Sequence, residues 1–533
     1  MSGITILTYR NEIYMIYVQL NKGNFEYDIH SLVKAFFPQE EVLVSAEDKA
    51  VDGRVSFRLT INYIEKSDAS VHKELPPGFL REQKNAVRTE ADDQDGVVQK
   101  HSKIPERSEE GEERIIFQIS EEDVEVRSSM VSVDFSDRKT TKNLLKQALY
   151  KLLADYTGQT LPWGTLTGIR PTKIPMTMME EDITDEEIMQ YMQDTYLISK
   201  EKGELAIEIA RREKALLDTL HYEDGYSLYI GIPFCPTTCL YCSFTSYPIF
   251  SWEKRVSEYL TALEKEIDFV SSFYQDKILD TIYIGGGTPT TLKAPELERL
   301  LSYIEAKLDL SRLQEFTVEA GRADSITRDK LGVLRKHGVT RISVNPQTMN
   351  QKTLDLIGRR HTVEQVKEAF ALAREVGFTN INMDIILGLP EETEAEVHHT
   401  IDEIVAMQPD SLTVHSLAIK RASKLSQWIE EKGISMLNNT EKTMKIAMEG
   451  AKQLRMVPYY LYRQKNMSGN FENVGYATEG NFGIYNILIM EEKQTIVALG
   501  AGSITKRVYP DGRIERCDNV KDVGLYIEKI DEM

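Results

Sequence analysis

Apolar and polar positions along this chain follow two rhythms. Val55, Phe57, Leu59, Ile61 and Tyr63 alternate strictly with polar neighbours, which is the period of a half-buried strand. Strand-like text returns at 115–119 and 130–135. Leu144, Leu145, Ala148, Leu149, Leu152 and Leu153 then fall on one face of a helix, and another helical region spans about 185–220. Residues 74–113 have neither rhythm. They carry Asp92-Asp93-Gln94-Asp95-Gly96 and Glu109-Glu110-Gly111-Glu112-Glu113 with few large apolar side chains, and are expected to form a long mobile acidic loop. A boundary is expected near Asp224-Gly225.

Beyond it, apolar strands at 228–232, 281–284, 315–319, 341–344, 380–386 and 411–415 alternate with helices at 256–273, 295–307, 328–337, 363–376 and 394–407. This alternation implies parallel βαβ units in an open sheet or a partial barrel. After about residue 423 the pattern changes, with a helix expected at 439–454 and strands near 486–490 and 495–499. The fold class is therefore α/β, in four segments: an N-terminal α+β domain (1–138), a helical connector (139–224), the α/β core (225–422) and a C-terminal extension (423–533).

Composition narrows the function classes. A formal net charge of −20 over 533 residues argues against non-specific binding of nucleic acid or an anionic membrane. No apolar run approaches the ~18 residues that span a bilayer, and the first residues lack a basic segment followed by a long apolar stretch. A soluble, cytoplasmic protein is expected. With 4 cysteines, the chain has no disulfide framework.

Three of those cysteines, Cys235, Cys239 and Cys242, have the spacing C-x3-C-x2-C, directly after an expected strand. Zinc loops favour four donors in paired halves, and no fourth Cys or His is nearby in sequence. Three thiolates instead suit a [4Fe–4S] cluster with one iron lacking a protein ligand, and open metal positions bind substrates. The C-terminal end of a parallel strand is also where such folds bind ligands. Cys517 stands apart in a polar, turn-like context.

The stretch Tyr229-Ile230-Gly231-Ile232-Pro233-Phe234-Cys235-Pro236-Thr237-Thr238-Cys239-Leu240-Tyr241-Cys242-Ser243-Phe244 resembles the radical S-adenosylmethionine (SAM) superfamily, within it the oxygen-independent coproporphyrinogen III oxidase group. Gly231 stands where that group has His. The resemblance covers about 227–506 and implies a partial (β/α)6 barrel, a [4Fe–4S] cluster on Cys235, Cys239 and Cys242, and SAM, with room for two. It implies SAM contacts at Tyr229, Tyr241, Phe244, Gly286, Gly287, Thr288, Glu319, Gln347, Arg359, Asp384, Ala418 and Ile504. Tyr241, Gln347, Arg359 and Asp384 resemble the set that holds a second SAM.

Gly168-Ile169-Arg170-Pro171-Thr172-Lys173 and the run from Pro458 to Asn470 resemble the HemZ-type coproporphyrinogen dehydrogenases. The implied reaction is oxidative decarboxylation of two propionates of coproporphyrinogen III to vinyl groups, giving protoporphyrinogen IX, with electrons from a flavodoxin- or ferredoxin-type reductant. Phe244 stands where the oxidase has a further Cys, and Asn473-Val474-Gly475-Tyr476-Ala477 holds half of the heme motif of the chaperone relatives. The alternatives are thus a heme-binding chaperone-like protein, a heme-degrading methyltransferase and a zinc scaffold. A substrate with four propionates calls for cations, and Arg170, Lys173, Arg463, Lys465 and Lys506 are the candidates. Tyr459, Tyr460, Tyr462 and Tyr476 are candidates to stack on a macrocycle.

Overall fold

The computed structural model describes residues 15–38, 40–47, 55–66, 112–168, 170–243, 246–420, 423–433, 437–463 and 471–532. The acidic stretch expected to be a loop, apart from residues 112 and 113, lies outside the described residues, as do Phe244 and Lys465. Contacts divide the chain into two compact units, Met1–Thr167 with Gln193–Ile198, and Gly168–Met192 with Ser199–Met533.

The first unit is a 5-stranded sheet with helices Glu26–Phe36 and Arg138–Thr157 packed on it. In strand Val55–Ile64 the alternating residues Phe57, Leu59, Ile61 and Tyr63 are buried, as their spacing predicts. The strand expected at 130–135 is shifted in the structure to Val124–Ser132.

The second unit is built on six consecutive strands, β1 (Gly225–Ile232), β2 (Ile278–Gly286), β3 (Glu315–Gly321), β4 (Arg341–Val344), β5 (Ile381–Leu387) and β6 (Ser411–Ser416). They pair in chain order and all in parallel. The intervening helices include α1 (Val256–Phe273), α2 (Ala294–Lys307), α3 (Arg328–Lys336), α4 (Val363–Val376) and α5 (Glu394–Met407). Each turns an apolar stripe inward; in α1 it is Val256, Leu260, Leu263, Ile267 and Val270. Sequential parallel pairing with helical crossovers is the partial (β/α)6 barrel. Beyond β6, α6 (Glu441–Gln453) precedes strands β7 (Val457–Tyr462) and β8 (Asn473–Ala477), which extend the β6 edge antiparallel; β9 (Thr495–Leu499), β10 (Ile504–Val508) and β11 (Ile514–Asp518) extend the β1 edge.

One expectation is corrected. Residues 486–490 form no strand; they lie in helix α7 (Ile484–Glu491). Tyr485, Ile487, Leu488 and Glu491 are buried at helical spacing. The free N–H groups of the first turn, on Ile484 and Tyr485, donate to the Glu315 carboxylate at 2.6 and 3.3 Å. A carboxylate on a strand 169 residues upstream thus caps this helix.

Candidate active site

Five of the six parallel strands carry a half-buried polar side chain among mostly buried residues near the middle or C-terminal end, although β2 also has Ile278 and Gly286 half-buried at its two ends. The five side chains are Tyr229, Tyr283, Glu319, Asp384 and His415. An interior strand is buried on both faces, so a half-exposed position there marks a chamber. The groups feel one another. Tyr283 donates to Glu319 Oε1 at 2.5 Å. Burial, with the Asp384 charge adding to it, raises the Glu319 carboxyl to about 7 against the opposing pull of Tyr283 and His415. Burial also acts to raise Asp384, but His415, Asn382 and Thr413 outweigh it and hold that carboxyl below the usual range. Tyr229, Tyr283 and Tyr485 stack at 4.5–6.3 Å between centroids, so the first turn of α7 closes the chamber with aromatic surface.

Because the native Glu319 holds its proton more tightly than the unfolded chain does, its contribution to stability falls as pH rises from about 4.5 to about 7. Wild type is expected to lose up to about 3 kcal/mol across that window relative to Glu319→Gln. Urea midpoints of both proteins between about pH 5 and about pH 8 check this, and a pH-independent difference contradicts it.

The cysteine loop follows β1. Cys235 and Cys242 are half-buried, Cys239 is buried, and all three are free thiols. Burial, followed by the neighbouring Cys242 and Cys239 sulfurs, pushes the Cys235 thiol up, opposed by Thr288, whose hydroxyl donates to Cys235 Sγ at 3.6 Å. The loop is clamped from several elements. Leu240 N–H donates to Ile357 O and Leu425 N–H to Leu240 O, each at 2.9 Å. Arg322 donates to Thr237 Oγ1 at 2.6 Å. Buried Arg359 reaches Tyr241 Oη at 3.2 Å and also the Asn345 carbonyl. Burial disfavours its charge, but Tyr241 and Cys239 facing it keep the guanidinium still more firmly protonated.

The triple-glycine loop after β2 lies against the cysteine loop. Gly287 N–H donates to Ile232 O at 2.8 Å and Thr288 N–H to Phe234 O at 2.7 Å. Gly286 has φ +105°. Gln347 is also left-handed, at φ 69°, inserted after β4 with its N–H on Asp384 O and its carbonyl accepting from Ile386, both at 2.9 Å. Such strain in a non-glycine residue is a mark of functional sites.

The donor types at the strand ends suit a cluster and a polar ligand. Three crowded, largely buried thiols repel one another as anions, a strain that a bound cation would relieve. Among the described residues no three His, Cys, Asp or Glu side chains already stand in metal-ligating array. Cys517, exposed in β11, is not recruited. The buried Gln347 Oε1 and Arg359 Nε lack hydrogen-bond partners, as ligand-binding atoms do before their ligand arrives.

The remaining expected residues spread out. Ala418 is half-buried just past β6, while Ile504 lies exposed at the start of β10. Two of the cations expected to bind propionates are paired elsewhere. Arg170 and Lys506 both pair with Glu492, at 2.7 and 3.0 Å. Lys173 is exposed at the start of the helix Lys173–Glu180. Arg463 is buried, its guanidinium pushed down to about 10 by burial although Glu472 opposes this. Tyr462, one residue earlier and the last of β7, reaches His415 in the chamber. Tyr459, Tyr460 and Tyr476 are buried packing residues, leaving Tyr462 half-buried. The sequence reading passed over Tyr283 and His415, whose only signal is a polar side chain near the end of an apolar strand.

Residues 229–404 match the Radical SAM superfamily. The chain is 41% identical over 415 residues, 76% of its length and 83% of the relative's, to the oxygen-independent coproporphyrinogen-III oxidase-like protein HemZ of Bacillus subtilis (strain 168). It is 40% identical over 195 residues, 36% of its length and 51% of the relative's, to the heme chaperone HemW of the same organism. The solved coproporphyrinogen III oxidase (HemN) of Escherichia coli aligns with a TM-score of 0.47 and 22% identity, over 60% of this chain and 73% of that one.

Proposed function

This chain belongs to the oxygen-independent coproporphyrinogen-III oxidase-like family of radical SAM proteins, and from that premise we propose that it decarboxylates two propionates of coproporphyrinogen III to vinyl groups, giving protoporphyrinogen IX. The observation that carries the reading is the convergence of Glu319, Asp384, Tyr229 and Tyr283 on one chamber at the strand ends, with Gln347, Arg359 and the Cys235–Cys242 loop joined to the same ends by backbone and side-chain hydrogen bonds. Cys235, Cys239 and Cys242 would hold a [4Fe–4S] cluster, three thiolates leaving one iron open. Cluster and SAM, when bound, supply radical abstraction of hydrogen from an unactivated carbon.

The protein's own contribution is binding and enclosure. The loop Gly285-Gly286-Gly287-Thr288 brings backbone close enough to meet a ligand. Glu319, Gln347, Arg359 and Asp384 offer acceptors and donors for the amino acid and ribose of SAM. The stack of Tyr229, Tyr283 and Tyr485 keeps water from the reacting centre, where it would divert a reactive intermediate. Each turnover at a propionate removes one β-hydrogen atom, releases carbon dioxide and passes one electron to an acceptor. A flavodoxin- or ferredoxin-type reductant and a cytoplasmic location go with this reading; no helix among the described residues is long and apolar enough to cross a membrane.

The segment that half matches the heme-chaperone motif disfavours a chaperone. Asn473–Ala477 is strand β8, every residue of it buried, with Asn473 Oδ1 accepting from Ser416 N–H at 2.8 Å. Anaerobic incubation with SAM, dithionite and coproporphyrinogen III should give a product lighter by two carboxyl groups, with 5′-deoxyadenosine. Intact tetrapyrrole with tightly bound heme would overturn the oxidase reading.

A further inference from the structure

His415 is the one imidazole in the chamber ring, at the end of β6. Its Nδ1 lies 3.3 Å from Tyr462 Oη, and its Nε2 lies 3.9 Å from Asp384 Oδ2. The two contacts divide the ring's nitrogens. A phenol at neutral pH is a ready donor, so Tyr462 O–H to Nδ1 leaves the proton on Nε2, the nitrogen that faces Asp384. The carboxylate is fixed from its other oxygen. Asn382 Nδ2 donates to Asp384 Oδ1 at 2.7 Å and also to Ser343 Oγ at 2.9 Å, while Thr413 Oγ1 donates to Asn382 Oδ1 at 3.1 Å. Asp384 Oδ2 is thereby turned toward His415 at a distance within ion-pair range but too long for a direct hydrogen bond.

A donor and an acceptor held about 4 Å apart, both partly exposed, can be satisfied together by a hydroxyl that accepts from Nε2–H and donates to Oδ2. We propose that His415 and Asp384 form a paired donor–acceptor site for a ribose hydroxyl of SAM, with Tyr462 as the positioning residue that fixes the imidazole. This rests on the radical SAM reading above and adds a binding residue, His415, and its orienter. The chemistry selects a hydroxyl over a phosphate, since the Asp384 charge repels an anion, and over a bare ammonium, which the Nε2–H repels.

The test uses the cluster-reconstituted, oxidised protein and measures binding of S-adenosylhomocysteine and its 2′,3′-dideoxy analogue by anaerobic calorimetry. Wild type should bind the dideoxy compound about tenfold or more weakly, in keeping with the loss of a hydrogen bond and the stranding of its partners. His415→Phe should lose about tenfold for S-adenosylhomocysteine and almost nothing for the dideoxy compound, while Tyr462→Phe should fall between and be partly rescued in Tyr462→His. Equal affinity of wild type for both compounds overturns the proposal without requiring any variant to fold, and leaves the radical SAM reading standing. Equal losses for both compounds in His415→Phe make its role structural and likewise overturn it. No binding of S-adenosylhomocysteine to folded, cluster-loaded wild type sinks both.

Discussion

Replacing Cys239 with serine is expected to remove bound iron and sulfide almost completely and to lower 5′-deoxyadenosine formation by more than about a hundredfold, since even groups that only support a metal ligand cost about 10–100-fold when lost. Cys239 is the most buried of the three thiols and faces the Arg359 guanidinium. The variant therefore loses both a ligand and the anion that balances a buried cation. Cys517→Ser is the matched control: that thiol is exposed on β11 and should leave iron content, melting temperature and activity unchanged. Iron and sulfide analysis of the two proteins side by side checks this. Retention of full iron by Cys239→Ser would contradict it.

Gly287→Ala should have the second-largest effect. A methyl group on Gly287 would sit 2.5 Å from Phe234 O and 2.9 Å from Ile232 O, both backbone atoms of the segment that leads from β1 into Cys235. Neither oxygen belongs to a flexible side chain, so the loop itself must move. The move strains the bonds from Gly287 N–H to Ile232 O and Thr288 N–H to Phe234 O. Overpacking costs about 1–3 kcal/mol and a weakened buried hydrogen bond about 1 kcal/mol, so a loss of about 2–4 kcal/mol is expected. Because the strain falls on the cysteine loop, iron retention should drop with it. Gly332→Ala, in α3 with nothing within 4 Å of the added methyl, should do neither. Thermal melting and iron content measured on both variants separate the outcomes; a Gly287→Ala protein as stable and iron-replete as wild type would show that the two loops are not coupled.

The parallel strands and their helices were legible to within a few residues because each carries its signal locally. An apolar run of strand length is followed by an apolar stripe at helical spacing, as in 228–232 followed by Val256–Phe273. The cysteine loop stands out as a candidate site for the same reason, as do Glu319 and Asp384, acids inside buried strands. Helix α7 was not. Its run from Ile484 to Met490 is apolar on most sides, so periodicity does not separate strand from helix, and its cap comes from Glu315 on a distant strand. The pairing of two candidate substrate cations was not legible either. Nothing near Arg170 or Lys506 in sequence announces that both will meet Glu492. Long-range pairing decides what a charged side chain is for, and local pattern does not contain it.

The most direct measurement is electron paramagnetic resonance of the anaerobically reconstituted, dithionite-reduced protein before and after SAM is added. The expected result is the signal of a single reduced [4Fe–4S] cluster whose shape changes on addition of SAM, as the proposed three-thiolate site with one open iron requires. An unchanged spectrum, or a protein that takes up one zinc per chain and gives no iron signal at all, would contradict the three-thiolate site on which the rest is built.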